Sequence, residues 1–180
     1  MTDQPVAQLK LREEALKAYE SGDFIRAADL YLAVEKFLQD NGEIAQAAEI
    51  ANNRSVALQR AGNPLAALDA ATRTDEIFAQ MGDLKRQAMA LGNQAAALAD
   101  LKRTDEALAR YHRSAELFQQ CGEKSLQSLV LKRIATIRFG KKDILGALSS
   151  MLDALNLQER LSPQERFLKW LLRLASRLSR

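Results

Sequence analysis

The sequence of 180 residues contains one histidine, His112, and one cysteine, Cys121, residue types that often serve as nucleophiles, general bases or metal ligands. His112 has no second histidine or cysteine at ligand spacing, which favours a packing or surface role. Cys121 has no neighbouring base to activate its thiol, and a single cysteine excludes an intrachain disulfide and a cysteine-based zinc site. Glycine-rich phosphate-binding motifs are absent. We therefore expect no enzymatic activity, no metal and no cofactor.

Side-chain amides are better candidates for binding a ligand. Asn53 and Asn93 are separated by about 40 residues, an interval typical of structural repeats. An amide both donates and accepts hydrogen bonds, so amides in a row can hold the backbone of an extended peptide whatever its side chains are. This chemistry requires the chain to place the two asparagines on neighbouring, equivalent elements.

The interval between the two asparagines recurs along the chain and is called the repeat period below. It is visible in two columns of alanine and glycine: Ala27, Ala67, Ala107 and Ala147, and Gly42, Gly82 and Gly122. A column of small residues in the first helices would let neighbouring helices approach closely: Ala15, Ser55, Ala95 and Ala135. Self-similarity at this period is typical of a solenoid, in which each unit buries its apolar face against its neighbours. The period therefore indicates a binding scaffold.

Each unit is predicted to contain two helices, because its apolar residues recur at intervals of three and four. In the first unit a run from about Val6 to Ser21 ends at Gly22, and a second run begins at Phe24 with Asp23 as its N-cap. The predicted units span about residues 6–42, 43–82, 83–122 and 123–161, within a single domain of residues 1–180. We therefore predict an all-α chain.

Two segments match a known pattern of glycine, an aromatic two residues later, an alanine three after that and an aromatic four further on. They are Gly22-Asp23-Phe24-Ile25-Arg26-Ala27-Ala28-Asp29-Leu30-Tyr31 and, in part, Asp105-Glu106-Ala107-Leu108-Ala109-Arg110-Tyr111. The chain thus resembles the tetratricopeptide repeat (TPR) family over about residues 8–160. Its period of about 40 residues resembles the long subtype of kinesin light chains and bacterial peptide receptors. It departs from the pattern at Lys102 and Lys142, which take a glycine position, and at Pro64, which takes an aromatic position.

This resemblance implies a right-handed helical solenoid of four repeats that acts as a protein-interaction scaffold. In the family, the first helices line a concave groove that holds an extended protein or peptide segment, and many long-repeat relatives carry asparagine at the positions of Asn53 and Asn93. The groove residues that the resemblance implies are Arg12, Leu16, Tyr19, Asn52, Asn53, Val56, Gln59, Asn93, Lys132, Arg133 and Phe139. Basic residues at both ends favour a ligand with some negative charge. The alternative is that these polar residues are merely solvated.

A further helix is predicted over residues 163–180. Ser162, Pro163 and Glu165 form a strong helix start, with the serine and glutamate of a capping box. Basic residues lie on one arc of this helix, and apolar residues occupy roughly 200° of it. Several leucines are expected to dock on the fourth unit, because a solenoid needs a terminal cap. The interacting residues predicted there are Arg166, Phe167, Lys169, Trp170, Arg173, Leu174 and Arg177.

The apolar arc of this helix is wider than a cap requires. Three uses follow from that excess. The helix could cap the repeats only, it could also bind a partner protein or a second copy of the chain as a homodimer, or it could attach to an anionic membrane surface.

Positive charge is concentrated in the same helix. The formal net charge of the chain is +3, and residues 163–180 contain five lysines or arginines and one glutamate. The repeats therefore carry little net charge, and we expect no binding to nucleic acid. No leader segment and no run of about 20 apolar residues is recognisable, so we expect a cytoplasmic protein.

Overall fold

The computed structural model describes residues 3–158 and 160–178, with side chains for residues 8–158 and 160–174. This part of the chain forms ten α-helices and contains no strand. The helices are α1 (Asp3–Glu20), α2 (Phe24–Asp40), α3 (Ile44–Arg60), α4 (Pro64–Ala71), α5 (Thr74–Gln80), α6 (Leu84–Asp100), α7 (Thr104–Gln120), α8 (Lys124–Gly140), α9 (Ile144–Asn156) and α10 (Pro163–Leu178). The predicted all-α fold is confirmed for these residues.

The helices stack in chain order. Successive helices pack against one another from α1 to α9, with α4 and α5 together taking one place in the stack, and α10 packs against α9. The first helices of the second and third units, α3 and α6, also touch. Because each unit contacts mainly its neighbours, the fold is a helical solenoid, as predicted.

The turns repeat with the period of the sequence. Asp23, Asn63 and Asp143 each cap the second helix of a unit, and each accepts a hydrogen bond from the backbone N–H three residues later. Asp83 caps α6 in the same way, with a donor to acceptor distance of 2.9 Å. These side chains satisfy backbone donors that have no partner inside the helix, so they fix where each helix begins.

Two lysines occupy turn positions where the other units have glycine. Gly22 and Gly62 have φ angles of 84° and 78°, and Lys102 and Lys142 have nearly the same angles, 64° and 62°. A left-handed backbone costs a residue with a side chain about 1 kcal/mol or more. The packing of the flanking helices therefore keeps the turn geometry where the sequence departs from the repeat pattern.

The second unit differs from the prediction of two helices per unit. Its second helix is divided into α4 and α5, since Thr72 has an extended backbone with ψ of 131° and Arg73 has φ of 63°. Ala71 stands where the first and third units have buried tyrosines, Tyr31 and Tyr111. The hydroxyl of Thr72 donates to a backbone carbonyl of the preceding turn at 3.0 Å. A small buried side chain and a hydroxyl that bonds to the backbone together permit the break.

The apolar core has two large parts. One lies between the first two units around Val34 and Leu38, and the other lies between the third and fourth units around Phe118 and Ile134. At the divided helix the core is smaller and is centred on Phe78. The candidate site opens onto the second large part.

Candidate functional site

A cavity of about 540 Å³ opens between α3, α6 and α8, the first helices of the second, third and fourth units. Much of its wall is aliphatic: Val56, Met89, Leu126, Leu129 and Val130. Met89 and Leu129 are exposed although they are apolar. Apolar side chains that converge on a concave surface favour the binding of an apolar group.

Polar residues also line this cavity. Arg60 and Arg133 bring positive charge, and Asp100 accepts a hydrogen bond from Gln59 Nε2 at 2.8 Å. A second cavity of about 240 Å³ shares Gln59, Asp100, Tyr111 and Arg133 with the first, so the two form one groove. This arrangement suits a ligand that has an apolar group next to a carboxylate.

Gly92 lines the cavity from α6, and packing does not require a glycine there. Its φ angle is not in the left-handed region, and a Cβ built at this position would meet only Ser114 Oγ, at 3.6 Å, which is an ordinary contact. Glycine inside a helix costs about 1 kcal/mol relative to alanine. The glycine thus keeps space in the cavity that any longer side chain would reduce.

The two asparagines that the sequence predicts to act together are placed differently. Asn93 is half-buried and lines the larger cavity, whereas Asn53 is exposed on α3 and lines neither cavity. The Nδ2 of Asn93 donates to Oδ1 of Asn52 at 3.5 Å. Asn52, which was predicted to line the groove, is instead buried, and its Oδ1 also accepts from Thr74 Oγ1 at 3.3 Å. The side-chain oxygen of Asn52 therefore joins α3 to α5 and α6. These two hydrogen bonds satisfy the buried oxygen within the repeats.

Five other predicted groove residues line neither cavity: Arg12, Leu16, Tyr19, Lys132 and Phe139. Leu16 and Phe139 are exposed. Tyr19 packs edge-on against the aromatic ring at the start of α2, and Arg12 donates to a glutamine of α3 at 2.9 Å. These residues therefore lie outside both cavities.

The larger cavity brings together four of the predicted groove residues: Val56, Gln59, Asn93 and Arg133. Sequence reasoning missed Arg60, Gly92, Leu126 and Leu129, which line it as well. A glycine inside a helical pattern and away from the turn columns was the available signal for Gly92. The leucines gave no such signal, because a leucine on a helix is as common in a core as in a groove.

Beneath the groove, α6 is fixed to the divided helix by Gln94, which is 2% exposed. Its Nε2 donates to the carbonyl of Ala71 and to Asp75 Oδ1, both at 2.7 Å, and its Oε1 accepts from Arg110. The break between α4 and α5 removes the helical partner of that carbonyl, and two side chains donate to it instead: Gln94 and, at 2.8 Å, the hydroxyl of Thr74. Gln94 thereby holds the turn of α6 that carries Asn93.

Neither Tyr111, which lines both cavities, nor the neighbouring His112 of α7 has a pKa tuned for acid–base chemistry. Burial raises the pKa of Tyr111 to about 12, so its phenol stays protonated. Burial lowers the pKa of His112, and the guanidinium of Arg138, 3.3 Å from His112 Nε2, lowers it further. Among the residues that the structure describes, no group of histidine, cysteine, aspartate and glutamate could hold a metal ion.

At the other end of the chain, α10 begins with the predicted capping box. The N–H of Ser162 donates to Glu165 Oε2 at 3.0 Å, and the N–H of Glu165 donates to Ser162 Oγ at 3.2 Å. Glu165 also accepts from Lys132 Nζ of α8, and Lys169 Nζ donates to the carbonyl of Leu155, each at 3.2 Å. Polar contacts therefore tie α10 to the fourth unit, and Lys132 pairs with this helix.

The leucines of α10 dock less extensively than the sequence predicts. Leu172 is 5% exposed, whereas three others are exposed: Leu168, Leu171 and Leu174. Phe167 and Trp170 are 60% and 58% exposed, and their rings stack with centroids 5.9 Å apart. Among the leucines of α10 whose side chains the structure describes, one is buried rather than several, because the polar contacts orient the helix with its aromatic side outward.

The predicted basic residues of α10 are only partly described. Arg166 and Arg173 are exposed, and the side chain of Arg177 lies outside the described residues. Of the helices in the described part of the chain, none has the length and apolar character needed to cross a membrane.

The chain is similar to known helical repeat proteins. The sequence profile of the SNAP family, described as soluble NSF attachment protein, matches residues 23–153. The crystal structure of BtubC (BKLC) from P. vanneervenii is similar with a TM-score of 0.64 and 18% sequence identity, over 97% of this chain and 83% of that chain. No curated protein matches the sequence. The family profile and the structural similarity confirm a TPR-like helical repeat. This fold is typical of non-catalytic protein-interaction adaptors.

Proposed function

This chain belongs to the SNAP (soluble NSF attachment protein) family, and we propose that it is a non-enzymatic adaptor that binds an extended segment of a partner protein. The segment lies in the concave groove between α3, α6 and α8. The observation that carries this proposal is the cavity of about 540 Å³ with the exposed apolar side chains of Met89 and Leu129 in its wall.

An apolar side chain of the partner anchors the segment. It enters between Met89 and Leu129 and occupies the space beside Gly92. Complete burial of a leucine or phenylalanine side chain contributes about 1.5 to 3 kcal/mol, which is enough for one anchor to dominate the binding of a short segment.

Polar residues of the groove orient the segment around this anchor. Arg60 and Arg133 attract a carboxylate next to the apolar residue. The amide of Asn93 makes one long contact, 3.5 Å to Asn52, so its oxygen accepts an N–H of the bound backbone. Asn53, exposed on α3, extends the amide contacts along the segment.

A random peptide library displayed on phage and selected on the full chain tests this proposal. We expect the selected peptides to carry an apolar residue beside aspartate or glutamate. Binding of synthetic copies is then titrated by fluorescence anisotropy. Gly92→Leu fills the cavity and should weaken binding by roughly tenfold or more.

Gly140→Leu is the matched control, because Gly140 is a helical glycine with open space around it and lies outside both cavities. Equal affinity of the Gly92→Leu and Gly140→Leu variants would exclude this cavity as the binding site. The double variant Asn53→Ala with Asn93→Ala tests the amides separately. Unchanged affinity in that variant would remove the asparagines from the mechanism and leave the apolar anchor.

The same proposal places the chain in the long-repeat subtype of TPR proteins, since the capping residues Asp23 and Asn63 are one repeat period apart. It treats residues 1–180 as one domain with repeats at about 6–42, 43–82, 83–122 and 123–161. A single cysteine suits the reducing cytoplasm, which is the compartment that we propose.

A further inference from the structure

The groove of the proposed function continues onto α1, the first helix of the first unit. The first helices of the four units are in register, since their last residues lie one repeat period apart: Glu20, Arg60, Asp100 and Gly140. One stripe of α6 lines the larger cavity: Met89, Asn93, Ala96 and Asp100. The matching stripe of α1 is exposed along its whole length: Leu9, Glu13, Leu16 and Glu20. Arg12 of α1 donates to Gln46 of α3 at 2.9 Å, so this stripe adjoins the groove.

One row of residues across these stripes carries opposite charges at its two ends. This groove row has one residue from each unit: Glu13, Asn53, Asn93 and Arg133. All four are exposed or half-buried. Within the described part of the chain, neither Glu13 nor Arg133 has a hydrogen bond or an ion pair, so both charges are open to a ligand. The groove row is therefore negative over the first unit and positive over the fourth.

Neighbouring basic residues do not cancel this difference. Arg12 and Lys132 were expected to supply positive charge at both ends of the groove, but each is half-buried and bonded elsewhere. Arg12 donates to α3, and Lys132 pairs with the carboxylate near the start of α10 at 3.2 Å. Arg60 and Asp100 line the larger cavity together with opposite charges, so they add no net charge to its centre. The two ends of the groove therefore differ in sign.

The other charged residues in the middle of α1 face away from the groove. Lys10, Glu14 and Lys17 occupy columns that are buried or half-buried in the three later units. No described helix precedes α1, so these three side chains are exposed at the end of the stack. The columns of Glu13 and Glu20 are instead exposed or half-buried in every unit. Glu14 therefore provides a matched control for Glu13, with the same charge on another face of the same helix.

We propose that the groove selects a segment with two unlike charges, an acidic residue that lies over the fourth unit and a basic residue that lies over the first. Arg133 binds the acidic residue, and Glu13 binds the basic one. Asn53 and Asn93 contact the backbone between them. This inference rests on the proposed function, because the apolar anchor is what holds the segment in the groove.

The dimensions of the groove set the spacing of the two charges. Packed helices lie about 8 to 10 Å apart, so the three steps from α1 to α8 span about 24 to 30 Å. An extended chain covers about 3.3 to 3.6 Å per residue, so roughly seven to nine residues separate the basic residue from the acidic one. The basic side chain also has an apolar stem, which packs on the exposed side chains of Leu9 and Leu16 beside Glu13.

A phage library of random peptides of roughly twelve residues, selected on the full chain, tests this inference. We expect an apolar residue close to an acidic one, and a basic residue roughly seven to nine positions from the acidic one. A synthetic copy of a selected peptide is then titrated by fluorescence anisotropy at roughly 50 mM salt, where charges are weakly screened. Replacing its basic residue with glutamate should weaken binding about fivefold, because an attraction becomes a repulsion.

Charge reversal in the chain shows whether Glu13 and Arg133 make this selection. In Glu13→Lys the preference should be lost, so that the glutamate copy of the peptide binds at least as tightly as the selected peptide. Glu14→Lys should keep the preference of the parent chain. Arg133→Glu should weaken the selected peptide about fivefold. Lys124 is exposed on the same helix as Arg133 and lies outside both cavities, so Lys124→Glu should not weaken it. Circular dichroism verifies that each variant is folded.

Two results would overturn this inference and leave the proposed function intact. The first is a set of selected peptides that carry the apolar anchor but no basic residue at the expected spacing. The second is a Glu13→Lys variant that still prefers the selected peptide, or a Glu14→Lys variant that loses the preference. Failure to select any peptide, or equal affinity of the Gly92→Leu and Gly140→Leu variants, would instead refute the proposed function and this inference with it.

Discussion

Equivalent helices of neighbouring units differ in continuity. In the third unit α7 runs without a break over Thr104–Gln120, whereas in the second unit α4 and α5 are separated at Thr72 and Arg73. At matching positions, one repeat period apart, the continuous helix buries the ring of Tyr111 and the divided one buries only the methyl group of Ala71. One period of sequence thus supports two backbone conformations, depending on what fills the core at one position.

The contacts that join these helices to the next unit differ in the same way. The interface between two consecutive units is called a joint below. Asp75 and Gln94 are hydrogen-bonded across the joint between the second and third units. At the same columns one repeat period later, Ala115 and Ile134 belong to an apolar cluster across the joint between the third and fourth units. A polar joint depends on every partner, because an unsatisfied buried group costs about 1 to 3 kcal/mol. The stability of an apolar joint depends mainly on how completely its side chains fill the space between the helices.

The joint between the first two units is polar as well. At the same two columns, Arg54 donates to Glu35 through Nε and a terminal nitrogen at 2.8 and 3.2 Å, and both side chains are mostly buried. The three joints therefore form a series in which an ion pair is followed by a neutral amide with a carboxylate and then by an apolar contact. Two changes test this series, and two more test the difference between the divided and the continuous helix.

The largest effect is expected at the apolar joint. Ile134 is completely buried, so Ile134→Ala should lower the free energy of unfolding by about 3 kcal/mol through lost burial and a cavity. Urea unfolding followed by circular dichroism measures the change. Ile137→Ala, a half-buried isoleucine of the same helix, is the control and should cost clearly less. Equal losses would show that the joint has no special role.

The ion-paired joint should be sensitive to the loss of one partner. Arg54→Met leaves the carboxylate of Glu35 mostly buried without its cation, and we expect a loss of about 2 kcal/mol, below the value for fully buried pairs. The double variant Glu35→Leu with Arg54→Met should recover most of this stability, because an apolar pair then fills the joint as in the third unit. A double variant as unstable as the single one would contradict this account.

Substitution by glycine should change the free energy of unfolding in opposite directions in the divided and the continuous helix. Arg73 has a left-handed backbone, so Arg73→Gly should stabilise the chain by about 0.5 to 1 kcal/mol. Arg113 lies at the same column in α7, and Arg113→Gly should lower the free energy of unfolding by about 1 kcal/mol. Each arginine also pairs with the glutamate three residues on, so the two substitutions remove matched contacts. The same sign for both changes in urea unfolding would refute the comparison.

The smallest effect should depend on pH. His112 occupies in α7 the position of Thr72 at the break, and burial and Arg138 lower its pKa in the folded chain. The unfolded chain then binds the proton more readily, so stability falls as pH decreases below about 6.5. We expect unfolding midpoints of the parent chain and His112→Gln to diverge between about pH 8 and pH 5. Parallel curves would show that His112 does not contribute.

Much of the local structure could be predicted from the residues. Asp23 and Asn63 mark helix starts, because their side chains bond to backbone groups three residues away. The break between α4 and α5 could not be predicted in this way. Its freed carbonyl, that of Ala71, accepts hydrogen bonds from Thr74 nearby and from Gln94. Gln94 is distant in the sequence and reaches the carbonyl only when α6 packs on α4.

Prediction from the sequence reaches the same limit at the candidate site. Its location on the first helices was predicted, and Asn93 and Arg133 line the cavity. The partner of Asn93 was not predicted, since the amide contacts Asn52 rather than stacking with Asn53. A shift of one residue turns a helical side chain by about 100°, so the choice depends on how the helices rotate against each other.

The sequence by itself determined the helices, their caps, the turns and the repeat period, because these depend on contacts within a few residues. The tertiary structure alone decided which side chains meet across units. It divided one helix, opened a cavity beside Gly92 and turned Phe167 and Trp170 of α10 toward solvent. These features depend on distances and rotations between helices, which the packing of the whole solenoid sets.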